Sequence, residues 1–480
     1  MKAFFNTSSK VTRTLPKTSH TKIPQLVISH KYIHSTLSEK SASILSESHK
    51  TPDASSSPRI NKGLDFPGIT KTKFVKDMAL NDPALLQPME IYRLIDVDGT
   101  QFDKSYEVDV DKDLAIRMYR EMHIIGILDN IMYEAQRQGR LSFYMVNAGE
   151  EASAIGSASA LKPNDVIFSQ YREAGAILHR GLTVKEFMSQ LYANKNDHGH
   201  GRSMPVHYMS KTLRIQPISS PLATQIPHAA GAAYALKVLG EKSGVDPKSE
   251  NEIDDGACVI CYFGDGAASE GDFHAALNMA ATLNCPVIFF CRNNGYAIST
   301  PTKEQYRGDG IASRGIGYGI ETIRVDGNDL LAVRRVTQKA REVATRDKKP
   351  VLIEAMSYRI SHHSTSDDSF AYRPKREVED WKRKDNPVVR FRKWLELKNW
   401  WNEDEEAKLK VELKKSVLKE FSAGEKTLKP QIRNIFDDMY DTLPETLIEQ
   451  RRELGEILDT YPDHFDLSHF EGGRQGLGDK

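Results

Sequence analysis

The chain is poor in cysteine, contains no long apolar run and carries no net charge. Four cysteines occur among 480 residues, at Cys258, Cys261, Cys285 and Cys291. Cys258 and Cys261 form a C-x-x-C, but on a strand a three-residue offset sends the two side chains to opposite faces. No second C-x-x-C and no Cys/His pair completes a zinc site, so the four read as buried thiols of a reducing compartment. No apolar run reaches the roughly 18 residues that span a bilayer, so no membrane span is expected. Lys and Arg number 66, and Asp and Glu also number 66. That balance gives no support for nucleic-acid binding. The length allows about two to four domains' worth of core, tails included.

What the chain does have is concentrated between Ala257 and Tyr296. Ala257 to Phe263 is an apolar run rich in β-branched and aromatic residues, which reads as a strand buried on both faces. Gly264-Asp265-Gly266 breaks it. Phe273, Ala276, Leu277, Ala280 and Ala281 then recur at helical spacing. Val287 to Cys291 is a second apolar run, ended by Arg292-Asn293-Asn294-Gly295. Strand, helix and strand make one right-handed crossover between neighbouring parallel strands. Asp265 and Asn294, 29 positions apart, therefore both lie past the carboxyl ends of strands, the edge where open α/β sheets bind ligands. A carboxylate, an amide oxygen and a main-chain carbonyl suit magnesium that also takes phosphate oxygens. An ordinary crossover with polar turns is the plainer alternative.

Other chemical positions follow the same logic. Val166-Ile167-Phe168 reads as a strand ending in Gln170-Tyr171-Arg172-Glu173. A guanidinium at a strand end can clamp phosphate oxygens; taken alone, Arg172 equally suits an ion pair, and Tyr171 a core position. His198, His200 and His207 lie in a Gly-rich loop with no acid or Cys cluster to complete a zinc set. Ser219-Ser220-Pro221-Leu222-Ala223-Thr224-Gln225 reads as a capped, Pro-initiated helix start. Tyr358 to Asp368 is a loop after a strand, where His363 could donate to a phosphate oxygen, act on an acyl group, or simply be solvated.

G-D-G followed about thirty residues later by N-N resembles the diphosphate-and-magnesium motif of thiamine diphosphate enzymes. H-H-S-T-S-D-D at 362–368 and L-L-Q-P-M-E-I-Y-R-L-I-D-V-D-G at 85–99 narrow the resemblance to the alpha subunits of branched-chain 2-oxoacid dehydrogenases, over residues 66–470. The pyruvate enzyme's loop instead resembles G-H-S-M-S-D-P; a pyruvate-type alpha subunit and a catalytically silent scaffold are the alternatives. The resemblance implies an α/β thiamine-diphosphate-binding fold, a parallel sheet with helices on both faces. It implies oxidative decarboxylation of branched-chain 2-oxoacids and transfer of the acyl group to a lipoyl-bearing acyltransferase. By the same resemblance the cofactor touches Gln170, Tyr171, Arg172, Ser220, Leu222, Gly264, Asp265, Gly266, Ala267, Arg292, Asn294 and His363. His363 is the expected catalytic residue. Magnesium is expected at Asp265, Asn294 and Tyr296, and potassium at Ser219, Pro221, Thr224 and Gln225. A beta subunit is expected to complete an α2β2 assembly and supply the activating glutamate. A kinase and a phosphatase are expected to act on Ser364. The family's second phosphorylated serine is matched by Pro374, which puts two-site phosphorylation in doubt. Asp265 stands where many branched-chain members are expected to have glutamate, and the residues flanking Gly149-Glu150-Glu151 also depart from expectation.

The ends are read from composition. Residues 1–38 lack Asp and Glu and carry Lys2, Lys10, Arg13, Lys17, Lys22 and Lys31 among many Ser and Thr. They resemble a transit peptide for the mitochondrial matrix, with a disordered tail as the alternative. Residues 39–65 read as a linker and 66–110 as an irregular, extended arm. Residues 111–376 form the cofactor-binding domain, with a polar insertion at 240–256. The charged tail from 377 to 480 is expected to be helical, with Leu409, Leu413, Val417 and Phe421 as one stripe.

Overall fold

The central strands follow the apolar runs, and the loops after them are all brought to one edge. The computed structural model of the chain describes residues 75–242 and 256–478. The expected transit peptide, the linker and most of the 240–256 insertion lie outside the described residues. Residues 75–81 carry no helix or strand, and the unit that holds the sheet starts at Asp82.

Strand β1 (Ile91–Tyr92) leads to helix α1 (Lys112–Arg137) and helix α2 (Glu151–Ala158). Then come β2 (Val166–Phe168), α3 (Ala174–Arg180), α4 (Val184–Leu191) and α5 (Gln225–Lys242). The crossover expected from the sequence is β3 (Val259–Gly264), α6 (Gly271–Leu283) and β4 (Val287–Asn293). A small hairpin, β5 (Tyr296–Ala297) and β6 (Thr300–Pro301), precedes α7 (Thr302–Gln305) and α8 (Ala312–Gly317). After β7 (Glu321–Asp326), α9 (Leu330–Asp347) and β8 (Val351–Met356), the tail forms α10 (Lys375–Lys384), α11 (Pro387–Leu397), α12 (Glu403–Lys426) and α13 (Glu445–Thr460).

Six strands pair in the order β1-β7-β8-β4-β3-β2, all parallel. Alternate residues of β3 face opposite cores: Ile260 and Tyr262 join the layer containing α1, α2 and α9, while Val259, Cys261 and Phe263 join that of α5 and α6. Cys258 and Cys261 fall on opposite sides, as their offset requires. Helices thus cover both faces, and the strands need no polar alternation.

The arm differs from its reading as irregular. Ile91 pairs with Arg324 and Tyr92 with Val325, so the arm contributes an edge strand. Two residues are too few to show a period, and the pairing depends on a partner more than two hundred positions away. Asp329 fixes the junction. It caps α9 through Leu331 and Ala332 N–H, and its other oxygen accepts from Leu94 and Ile95 N–H at 2.7 Å each. The tail is also part of this core: Leu409, Leu413, Val417 and Phe421 of α12 pack with α1 and α4 residues.

Candidate active site

Four loops meet at the carboxyl edge because their strands, β2, β3, β4 and β8, are consecutive neighbours in the sheet. Parallel strands lie about 4.8 Å apart, so residues from 170 to 363 are brought within side-chain reach of one another. Gln170 after β2 is buried, and its Oε1 accepts from Gly264 N–H at 3.2 Å. Its Nε2 is buried and has no hydrogen-bond partner among the described residues.

Asp265 and Asn294 share this edge. Asp265 is 1% exposed. Its N–H donates to the Arg292 carbonyl, and its carboxylate accepts from Gln305 Nε2 at 3.1 Å and from the Asn294 main chain. Burial pushes its pKa up to about 6, with the Glu150 charge adding to the rise and these hydrogen bonds opposing it. Among the described residues no basic side chain forms an ion pair with it. Asn294 Nδ2 donates to Glu150 Oε1 at 3.0 Å, which turns Oδ1 the other way. The Tyr296 carbonyl lies two residues on. Gly266 is needed here because a Cβ would stand 2.9 Å from that of Ala297; Ala267 is buried beside it.

Beneath this lies a buried ion network that the sequence reading missed. Arg292 contacts both Glu150 and Glu173, and Arg172 lies 3.4 Å from Glu150. All four are at most 2% exposed. Arg172 also donates to the Val146 and His363 carbonyls. The guanidinium of Arg292, expected at the cofactor, is thus held by two protein carboxylates. No local pattern announces Glu150 or Glu173, because both meet Arg292 more than a hundred positions further along the chain. Gln305 was missed because its partners Asp265 and Ser269 are likewise remote in sequence and lie on another loop.

The loop after β8 brings in His363. Its ring stands edge-on to Tyr171, with Nε2 3.3 Å from the Tyr171 hydroxyl. Its N–H donates to Asp367 at 2.7 Å. Burial, then the Arg172 and Arg359 charges, pull its pKa down to about 3, so the imidazole is neutral near pH 7. Ser364 is half-buried, and its Oγ accepts from Ser366 N–H at 3.2 Å. The loop is ordered by its polar groups: Tyr372 joins Asp367 to Arg359, and Arg373 binds the carbonyls of residues 359–361.

The turn before α5 completes the edge. Gln225 Nε2 donates to the Tyr262 carbonyl on β3 at 3.0 Å, while its Oε1 is buried with no hydrogen-bond partner among the described residues. Thr224 Oγ1 donates to the Pro221 carbonyl at 3.2 Å. Ser219 is half-buried, and Leu222 packs against the α5–α6 core. Ser220 is exposed, with Oγ 2.8 Å from His207 Nε2. The three histidines of the Gly-rich loop separate: His198 faces Glu186, His200 faces Asp438 and His207 faces Ser220.

A doubly covered parallel sheet with a buried carboxylate, an amide and polar loops gathered at the carboxyl ends of its strands has the architecture of α/β enzymes that bind their ligands at that edge. Residues 119–433 match the model of the family described as dehydrogenase E1 component. The mitochondrial 2-oxoisovalerate dehydrogenase subunit alpha of Mus musculus is 49% identical over 414 residues, 86% of this chain and 90% of that protein. The subunit alpha of Caenorhabditis elegans is 50% identical over 400 residues, 83% and 90% of the two chains. Subunit alpha 2 of Arabidopsis thaliana is 47% identical over 402 residues, 84% and 82% of the two chains. The chain belongs to the dehydrogenase E1 component family, among the alpha subunits of 2-oxoisovalerate dehydrogenase.

Proposed function

We propose that this chain is the alpha subunit of the decarboxylase component of a mitochondrial branched-chain 2-oxoacid dehydrogenase complex, with thiamine diphosphate as cofactor and a beta subunit as partner. The observation that carries the site reading is Asp265, a buried carboxylate with hydrogen bonds and, among the described residues, no ion pair to a cationic side chain. Such a group fits a divalent cation. Asp265, Asn294 Oδ1 and the Tyr296 carbonyl are assigned to magnesium. Ser219, Pro221, Thr224 and Gln225 are assigned to potassium, consistent with the unpartnered Gln225 Oε1.

When bound, thiamine diphosphate supplies the electron sink for loss of carbon dioxide from a 2-oxoacid. This chain's part is to hold its diphosphate end. Gly264 and Gly266 leave the main chain open to close approach, Ala267 is assigned to the cofactor beside them, and Gln170 Nε2 is a donor in want of an acceptor. Tyr171 and Arg172 line the same edge, with Arg292 supporting them through Glu150 and Glu173. Ser220 and Leu222 are assigned to the aminopyrimidine side, and the activating glutamate to the beta subunit. His363, neutral and steered by Tyr171, can hold or pass one proton during acyl transfer to a lipoyl group of the acyltransferase.

Ser364 is assigned as a regulatory phosphorylation site for a kinase and a phosphatase. A phosphate brings nearly two negative charges next to His363 and would disorder the loop. Matrix import and an α2β2 assembly complete the reading. The test is to assay the chain with and without its beta partner on 3-methyl-2-oxobutanoate and pyruvate. Turnover should require both subunits and favour the branched substrate. Substantial turnover by the chain alone, or preference for pyruvate, would overturn it. Calorimetry with thiamine diphosphate and magnesium tests the scaffold alternative: no heat of binding would favour it.

A further inference from the structure

Among the described residues one side chain, Gln305, donates to the Asp265 carboxylate, and that side chain is itself oriented. Gln305 Nε2 donates to Asp265 Oδ2 at 3.1 Å. The Ser269 hydroxyl donates to Gln305 Oε1 at 2.7 Å. With its oxygen taken by that hydroxyl, the amide has one orientation, and its N–H faces the carboxylate. We propose that Gln305 is a positioning residue for the cation site: it fixes the Asp265 carboxylate through Oδ2 so that the remaining lone pairs are presented to the metal. This rests on the reading of Asp265 as a magnesium ligand.

The backbone supports the arrangement. Tyr296 pairs with Pro301 and Ala297 with Thr300, so the chain doubles back just after Asn294. Thr302 N–H then bonds the Gly295 carbonyl at 3.0 Å, setting the start of α7 against the metal-side loop. At the other end, Asn293 Nδ2 donates to the Tyr306 hydroxyl at 2.9 Å. One loop therefore carries Asn294, the Tyr296 carbonyl and the side chain that steers Asp265. The neutrality of Gln305 also matters. A lysine or arginine there would pair with Asp265 and compete with a cation. An amide orients the carboxylate without cancelling its charge.

The test uses the full chain assembled with its beta subunit and thiamine diphosphate, with Mn2+ binding followed by electron paramagnetic resonance of the free ion. Gln305→Leu keeps the side chain's bulk at a half-buried position and removes the donor. It should weaken Mn2+ binding about 10- to 100-fold, with the metal-free melting temperature unchanged. Ser269→Ala, at an exposed residue, should weaken it by about threefold or more, because the amide is then free to turn. Asp265→Ala should abolish binding. Binding within twofold of the parent for both Gln305→Leu and Ser269→Ala, with Asp265→Ala abolishing it, overturns the positioning role alone. Unchanged binding in Asp265→Ala overturns the metal reading itself. Should Gln305→Leu melt early without metal, Ser269→Ala decides: weakened binding supports the proposal and equal binding overturns it.

Discussion

Arg292 is enclosed by Glu150 and Glu173, all three buried. Removing one member of such a group leaves uncompensated charge, which costs about 3–5 kcal/mol. Arg292→Met should therefore lower the unfolding free energy by that amount even without cofactor, as equilibrium unfolding in urea will check. Glu151 gives a pH-dependent prediction. Burial pushes its pKa up to about 8, and the neighbouring Asp129 and Glu150 charges add to the rise. Since the folded pKa is raised, its contribution to stability is present at low pH and lost as pH rises from the ordinary carboxylate range towards 8. Glu151→Gln removes that loss. The variant should melt close to the parent at about pH 5 and several degrees above it at about pH 8.5. Among single residues the sequence singled out Asp265 and Asn294 at strand ends, and Arg172 and His363 in loops after strands once the family resemblance was added. It did not show Glu150, Glu173 or Gln305, whose roles exist only through partners far along the chain.

Among the elements, α12 carries its information most openly. Its Leu409, Leu413, Val417 and Phe421 repeat every fourth residue, and all four are buried. Leu413→Ala should cost about 2–5 kcal/mol, the range for emptying a leucine site in a core. Its urea midpoint should fall with no change in the denaturant slope. Asn402 caps the same helix by accepting from Glu405 N–H at 3.0 Å, so Asn402→Ala should cost about 1 kcal/mol. The β3–α6–β4 crossover was equally legible, since two continuous apolar runs flank a helical period. The β1 strand was not: its pairing with β7 is decided by tertiary contact, and Asp329 holds it there.

For the whole molecule, ligands that bind the folded chain and not the unfolded one should act as added stability. Each site should gain about 2.7 kcal/mol when the magnesium–thiamine diphosphate pair, counted as one ligand, is held at a hundred times its dissociation constant. Thermal denaturation with and without both ligands measures it. Magnesium alone should give less, because the diphosphate oxygens then contribute no ligands to it.

The sequence alone determined the class of fold and the sheet edge at which the polar loops gather. Buried parallel strands need unbroken apolar runs, and their ends must be polar, so both are written locally. Only the tertiary structure decided which carboxylates neutralise which arginines, which amide steers Asp265, and that arm and tail complete the same core. Those choices depend on distances between residues remote in the chain, and no local pattern encodes such distances.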